Sequence, residues 1–156
     1  MTQRLNEYGQ PIGEDVLGWA GVKPPSHETM QGRYCRLEAL DRKRHASDLY
    51  NAYAPDADGI LWTYMPVGPF DNADKFASWI ETSSQSTDPL FFAIVEQVSG
   101  RAIGMASYLR ITPQQGVVEV GNICFSPTLQ RTPVATEAMF LMMKRELAWF
   151  YGGGAG

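Results

Sequence analysis

Cysteine and histidine are scarce in this chain of 156 residues, with two of each. Cys35 and Cys124 fall in separate strand-like segments, which excludes a disulfide-stapled fold and reads as two buried thiols. His27 and His45 share no ligand spacing with each other or with the cysteines, so no metal site is expected. Basic charge is equally thin: 13 Lys and Arg stand against 17 Asp and Glu, for a net charge of -4 and a pI near 5.1. The longest basic cluster is Arg42, Lys43 and Arg44. A chain built to neutralise nucleic-acid phosphate or an anionic membrane needs more clustered cations than that. No apolar run approaches the roughly 18 residues that cross a bilayer. The N-terminus "MTQRLNEYGQPIGEDV" also lacks the apolar centre of a secretion signal, so a cytoplasmic address is expected.

What is present suffices for one domain with a substantial core. Hydrophobic residues make up 44% and aromatics 12% of the chain, and a chain of this size buries roughly 70% of its unfolded surface on folding. Residues 1–31 hold Gly9, Pro11, Gly13, Gly18, Gly21, Pro24 and Pro25, which forbid a long helix and predict an extended arm. Tyr8, Val16, Leu17 and Trp19 predict that this arm packs on the domain.

Strand alternation begins at "GRYCRLEAL", where Tyr34, Arg36 and Glu38 interleave with Cys35, Leu37 and Ala39. In "DRKRHASDLYNAYA" the spacing of Ala46, Leu49, Tyr50 and Tyr53 predicts a helix that Pro55 stops. The proline- and glycine-punctuated loop "DGILWTYMPVGPF" leads to a second helix, which Asp71 is placed to cap and whose Phe76, Trp79 and Ile80 share a face. Three strands follow: "LFFAIVE", apolar on both faces as a central strand is; "AIGMASYLRI"; and "GVVEVGNICF". Gly100 marks one turn and Pro113 with Gly116 the next. A last helix is predicted over 133–150, with Ala135, Ala138, Met139, Met142 and Trp149 on one stripe and Phe140, Leu141, Leu147 and Phe150 widening it. A helix so apolar is expected to be covered on most sides. The fold class is therefore α/β, a mostly antiparallel sheet flanked by helices.

Chemistry concentrates where the last strand meets the last helix. In "LQRTPVATEA", Thr132 is a good N-cap, and Pro133 both suits the first helical position and holds Thr132 in the extended backbone a cap needs. First-turn amides, with Arg131 and the hydroxyls of Thr132 and Thr136 beside them, form a site suited to phosphate.

The segment "VEVGNICFSPTLQRTPVATEAM" resembles the signature of the acetyl-CoA-dependent GCN5-related N-acetyltransferases (GNAT), in the branch of the ribosomal-protein alanine acetyltransferases. There a strand is followed by Q/R-x-x-G-x-G/A, and Gln130, Pro133 and Ala135 fall on the pattern positions. The order of elements over 32–150 agrees, and "LWTYMPVGPF" is similar to the family's acceptor-side loop. The resemblance implies acetyl-CoA as cofactor, with its pyrophosphate on the amides and side chains of Gln130, Arg131, Thr132, Pro133, Val134, Ala135 and Thr136. It also implies that the pantetheine arm pairs with the strand at Ile123, Cys124 and Phe125. Gly121 beside Asn122 is suited to the bulge that opens that edge, and equally to mere close packing.

Glu119 is the expected general base, directly or through water. Its strand parity with Val117, Gly121, Ile123 and Phe125 predicts an apolar setting that raises its pKa, with a solvent-facing glutamate as the alternative. Trp62, Tyr64 and Phe70 are expected to wall the amine acceptor, with Asn122 on the same acceptor side, although loop aromatics also simply close cores. Cys124 as an acyl nucleophile lacks a nearby histidine and lies in an apolar strand, so direct attack of the amine is the simpler route.

The sequence departs from the family pattern twice. Pro133 stands where glycine is usual and deletes one amide donor, leaving those of Thr132, Val134 and Ala135. The final helix also runs into "GGGAG", where the family continues with a strand, a helix and a closing hairpin, a part that bears the tyrosine credited with protonating the departing thiolate. These features predict a GNAT-like domain over 32–150, truncated after the cofactor helix, with a Gly-rich tail at 151–156. Its strand edge is left open to a second copy of the chain or to the N-terminal arm. The rival readings are a catalytically inactive acyl-CoA-binding or dimerisation module, and an α/β domain with no cofactor.

Overall fold

A computed structural model describes residues 4–152, with side chains described through residue 147. The tail from residue 153 and the side chains of Trp149 and Phe150 lie outside the described residues. The elements run β1 (Met30–Gln31), β2 (Cys35–Ala39), α1 (Arg42–Tyr53), α2 (Ala73–Ser84), β3 (Leu90–Glu96), β4 (Ala102–Thr112), β5 (Val117–Phe125) and α3 (Pro133–Gly152). The strands form one antiparallel sheet in the order β1-β2-β3-β4-β5. Two-residue β1 is too short to leave a pattern in the sequence.

Residues alternate across β3 to build two cores. Phe91, Ala93 and Val95 face α1 and α2, where they meet Leu49, Tyr53, Phe76 and Ile80. Leu90, Phe92 and Ile94 face α3, where they meet Ala135, Ala138 and Met142. A strand buried on both sides must read as an unbroken apolar run, as this central one does.

Both helices over the first face are capped by side chains, which supply acceptors for otherwise orphaned amides. Asp41 accepts from the Arg44 amide at 2.8 Å. For α2 the cap is Asn72, accepting from the Lys75 amide at 2.9 Å, and not the expected Asp71. Asp71 lies one residue too early for that geometry and pairs with the Lys75 ammonium instead.

Two further expectations are corrected. The arm does pack, but through Trp19, whose indole donates to the Gln114 carbonyl at 2.7 Å, through Val22, whose amide donates to the Pro113 carbonyl at 3.0 Å, and through buried Met30. Tyr8, Val16 and Leu17 remain exposed. Helix α3 is covered along one side only: Phe140, Met143 and Leu147 are 53%, 52% and 56% exposed. A single helix on one sheet face buries one stripe, and nothing among the described residues lies over the other.

Both cysteines are buried free thiols. No helix among the described residues is long and apolar enough to cross a membrane.

Candidate functional site

The turn from β5 into α3 is anchored from within. Leu129 is fully buried and packs against Gly104 of β4. The amides of Leu129 and Gln130 donate to the Ser126 carbonyl at 2.9 and 3.1 Å. Arg131 then takes a left-handed backbone, φ 60°, an unfavourable conformation for a side-chain-bearing residue.

Thr132 closes the turn. Its hydroxyl donates to the Leu129 carbonyl at 2.7 Å and accepts from the Ala135 amide at 3.2 Å. This is the expected cap, and it alters the donor set. The Ala135 amide is consumed by Thr132 and Pro133 has none, so the amides left without an acceptor among the described residues are those of Arg131, Thr132 and Val134. The Thr136 hydroxyl turns back to the Thr132 carbonyl at 3.5 Å.

Strand β5 is an edge strand, and it is bulged where Gly121 and Asn122 meet. Ser107 pairs with Gly121 and Met105 with Cys124, so Asn122 and Ile123 have no register partner on β4. Asn122 adopts φ 47°, and its amide group donates to the Ser107 hydroxyl at 2.8 Å, which donates in turn to the Gly121 carbonyl at 3.3 Å. Beyond the bulge, the Ser126 amide bonds the Ile103 carbonyl. Ladder alternation therefore turns the backbone groups of Phe125 to the open edge. There the Gln130 side chain donates to the Phe125 carbonyl at 3.1 Å.

The bulge also overturns the parity argument for Glu119. An extra residue inverts which side chains share a face. Before it Val118 and Val120 pack toward α3; after it Phe125 does, while Cys124 lies in the core of the opposite face. Glu119 thus sits on the α1/α2 side with Gly121 and Cys124, not with Ile123 and Phe125. Its setting is not apolar either: its side chain is 44% exposed and accepts from Arg110 at 2.7 Å. Arg110 reaches it from a second bulge, where φ is 51° and Asp88 holds the Arg110 and Ile111 amides at 2.9 and 3.1 Å.

On that same side a cavity of about 320 Å³ opens between α1, the turn 56–62 and α2. Trp62 and Phe70 line it, within a set of edge-on rings: Trp62 to Tyr53 at 5.5 Å, Trp62 to Phe70 at 5.3 Å, Phe70 to Phe76 at 5.3 Å. Expected wall residue Tyr64 is not among them, being 98% exposed. Tyr53 joins cavity to strand, for its buried hydroxyl donates to the Cys124 carbonyl at 3.0 Å. Burial pushes the Cys124 thiol up to about 11, against a smaller lowering by Tyr53, so the thiol stays protonated at neutral pH and is a poor nucleophile.

Sequence reading missed Tyr53 as a link, because its helical spacing marked it only as core. It also missed Glu137, whose carboxylate accepts from the Arg33, Tyr34 and Cys35 amides at 2.8, 2.6 and 2.8 Å and so ties α3 to the β1–β2 turn. A carboxylate on an amphipathic helix carries no signal that its partners lie 102 to 104 residues away.

No family model and no curated protein matches the chain. Solved structures do. The chain is similar to a GCN5-related N-acetyltransferase from Brucella melitensis, with 34% identity and a TM-score of 0.80 over 84% of this chain and 59% of that one. A GNAT-family protein from Chromobacterium violaceum matches with 29% identity and a TM-score of 0.78 over 90% and 70%. An acetyltransferase of the GNAT family from Bacillus anthracis, 15% identical with a TM-score of 0.60 over 75% and 64%, shares the fold alone. The chain thus spans 59% of the length of the Brucella protein and 70% of that from Chromobacterium. With its antiparallel meander leading through a bulged edge strand into a proline-started helix, the chain has the fold of the GCN5-related N-acetyltransferases and resembles members of that family in sequence.

Proposed function

We propose that the chain is an N-acetyltransferase domain that binds acetyl-CoA and transfers its acetyl group to a primary amine. The observation that supports this best is the continuity of two features: an edge strand whose register breaks at Asn122 and Ile123 and whose Phe125 backbone faces the open edge, and a helix start with unpaired amides at Thr132 and Val134. That run suits a long ligand with amides at one end and phosphates at the other.

The residues present fit the cofactor. The amides of Arg131, Thr132 and Val134, with the Arg131 guanidinium and the Thr136 hydroxyl, would hold the pyrophosphate, and Pro133 and Ala135 shape the helix entry. Ile123, Cys124 and Phe125 would flank the pantetheine, with Gln130 releasing the Phe125 carbonyl to it. When bound, acetyl-CoA supplies an activated thioester. Glu119, on the face where the cavity lies, would take the proton of the amine through water as the N–C bond forms and the C–S bond breaks, the coenzyme A thiolate leaving to take a proton from solvent. Asn122 orders the bulge through Ser107, and Trp62 and Phe70 hold the acceptor.

Calorimetric titration with acetyl-CoA tests binding, and thiol release in the presence of amines tests turnover. Saturable heat with amine-dependent release is expected. Arg131→Glu should weaken binding at least tenfold by opposing phosphate charge. Release without any amine dependence, or titration without heat, overturns the proposal; heat without release reduces it to a binding module.

A further inference from the structure

We infer that the cavity between α1 and α2 selects an acceptor carrying a second positive charge, such as a linear diamine, an assignment that rests on the acetyl-transfer reading for which amine reacts. Tyr50, Tyr53, Trp62 and Phe70 line it together with Asp56 and Asp58, and no Lys, Arg or His among the described residues lines it. Its volume, about 320 Å³, is at the small end of the range for small-molecule sites.

Each part favours a compact organic cation. Ring faces attract a positive group through their quadrupole, most strongly when water is excluded. Asp56 is fixed in place because its two oxygens accept the Ile60 and Leu61 amides at 3.1 and 3.0 Å, so its charge is presented without the cost of ordering a mobile chain. Asp58 stands at the exposed rim with no hydrogen-bond or ion-pair partner among the described residues. A free carboxylate on the acceptor would meet two like charges there and be rejected. Tyr53 lines the cavity and bonds the Cys124 carbonyl, so the cavity lies beside β5, where the second amine of an anchored acceptor would react.

The test compares three ligands of equal chain length by tryptophan fluorescence and calorimetry on the intact chain: 1,4-diaminobutane, butylamine and 4-aminobutanoate. Diaminobutane should bind at least tenfold more tightly than butylamine, with 4-aminobutanoate weaker than both. Asp58→Asn should bring diaminobutane close to butylamine, a loss of about tenfold, while the acetyl-CoA titration stays unchanged. Phe70→Ala should weaken both amines, since both lose the ring. Equal affinity for the two amines, no binding of diaminobutane, or indifference to Asp58→Asn overturns the inference. Diaminobutane binding without any acetyl-CoA binding instead sinks the acetyl-transfer reading and leaves the cavity assignment standing.

Discussion

The two faces of the sheet are closed by different means. Over one face two helices interlock aromatic rings, with Phe76 touching Tyr50, Tyr53, Trp62, Phe70 and Trp79 at centroid distances of 5.3 to 6.4 Å. Over the other lies one helix, packed on mostly aliphatic side chains with a single edge-on ring pair in the sheet below, Phe92 to Tyr108 at 5.7 Å, and held by polar ties. Tyr108 donates to the Met142 carbonyl at 2.8 Å, Glu137 takes three amides of the β1–β2 turn, and Arg145 reaches the Glu28 carbonyl and the Ser26 hydroxyl. Aromatic rings prefer edge-to-face or offset contact, and a chain of such contacts runs through the first face. The face closed by two helices carries the cavity of about 320 Å³, and the face closed by one helix supports the helix start.

The comparison breaks first, and most severely, at Phe76. Replacing a fully buried ring that joins five others should cost about 3–5 kcal/mol, read as a lowered urea midpoint, and should abolish amine binding in the cavity. If Phe76→Ala loses little stability, the ring cluster is not what closes that face.

On the α3 face the deepest single tie is the Tyr108 hydroxyl. Tyr108→Phe should cost about 1–2 kcal/mol, with acetyl-CoA and amine binding both retained; a larger loss would mean that the face depends on polar ties more than on packing.

Glu137 sharpens the contrast through pH. Burial raises its pKa, but hydrogen bonds from the Arg33, Cys35 and Tyr34 amides outweigh that and hold it below the ordinary carboxylate value. A depressed folded-state pKa contributes stability that is fully present above the unfolded value, near 4.3, and is lost as pH falls through the folded one. Glu137→Gln should therefore cost about 1 kcal/mol at pH 7, below the usual range for a charge-assisted acceptor because solvent reaches the group. The gap to the unsubstituted chain should narrow below about pH 4. A gap constant from pH 7 to pH 3 would count against the charge as its source.

The smallest effect is expected on the open side of α3. Phe140→Ser should change stability by no more than about 0.5 kcal/mol, as at other exposed positions. A loss of several times that, growing with protein concentration, would show that a second copy covers the stripe.

Much of this architecture was legible in advance because its causes are local. Apolar alternation and helical spacing marked every element except β1, and the Thr132–Pro133 pair fixed the start of α3 through cap chemistry that acts across three residues. Glu119 was misplaced for an equally specific reason. Strand parity assumes one residue per pleat, and the bulge at Asn122, whose place was visible in the Gly121–Asn122 pair, reverses that count beyond it. Of the three aromatics expected in the wall, Trp62 and Phe70 line the cavity, while Tyr64, two residues from Trp62, points into solvent. Periodicity fails in an irregular loop, so nothing in the sequence ranked these three.

By itself the sequence determined where strands and helices form, which strand is central and where the last helix starts, because periodicity, capping and proline geometry act over a few residues. Tertiary structure alone decided which backbone amides stay unpaired, which face Glu119 joins, and how Asp56, Trp62 and Phe70 meet beside Cys124. Those outcomes depend on register and ring packing between segments dozens of residues apart, and such contacts leave no pattern along the chain.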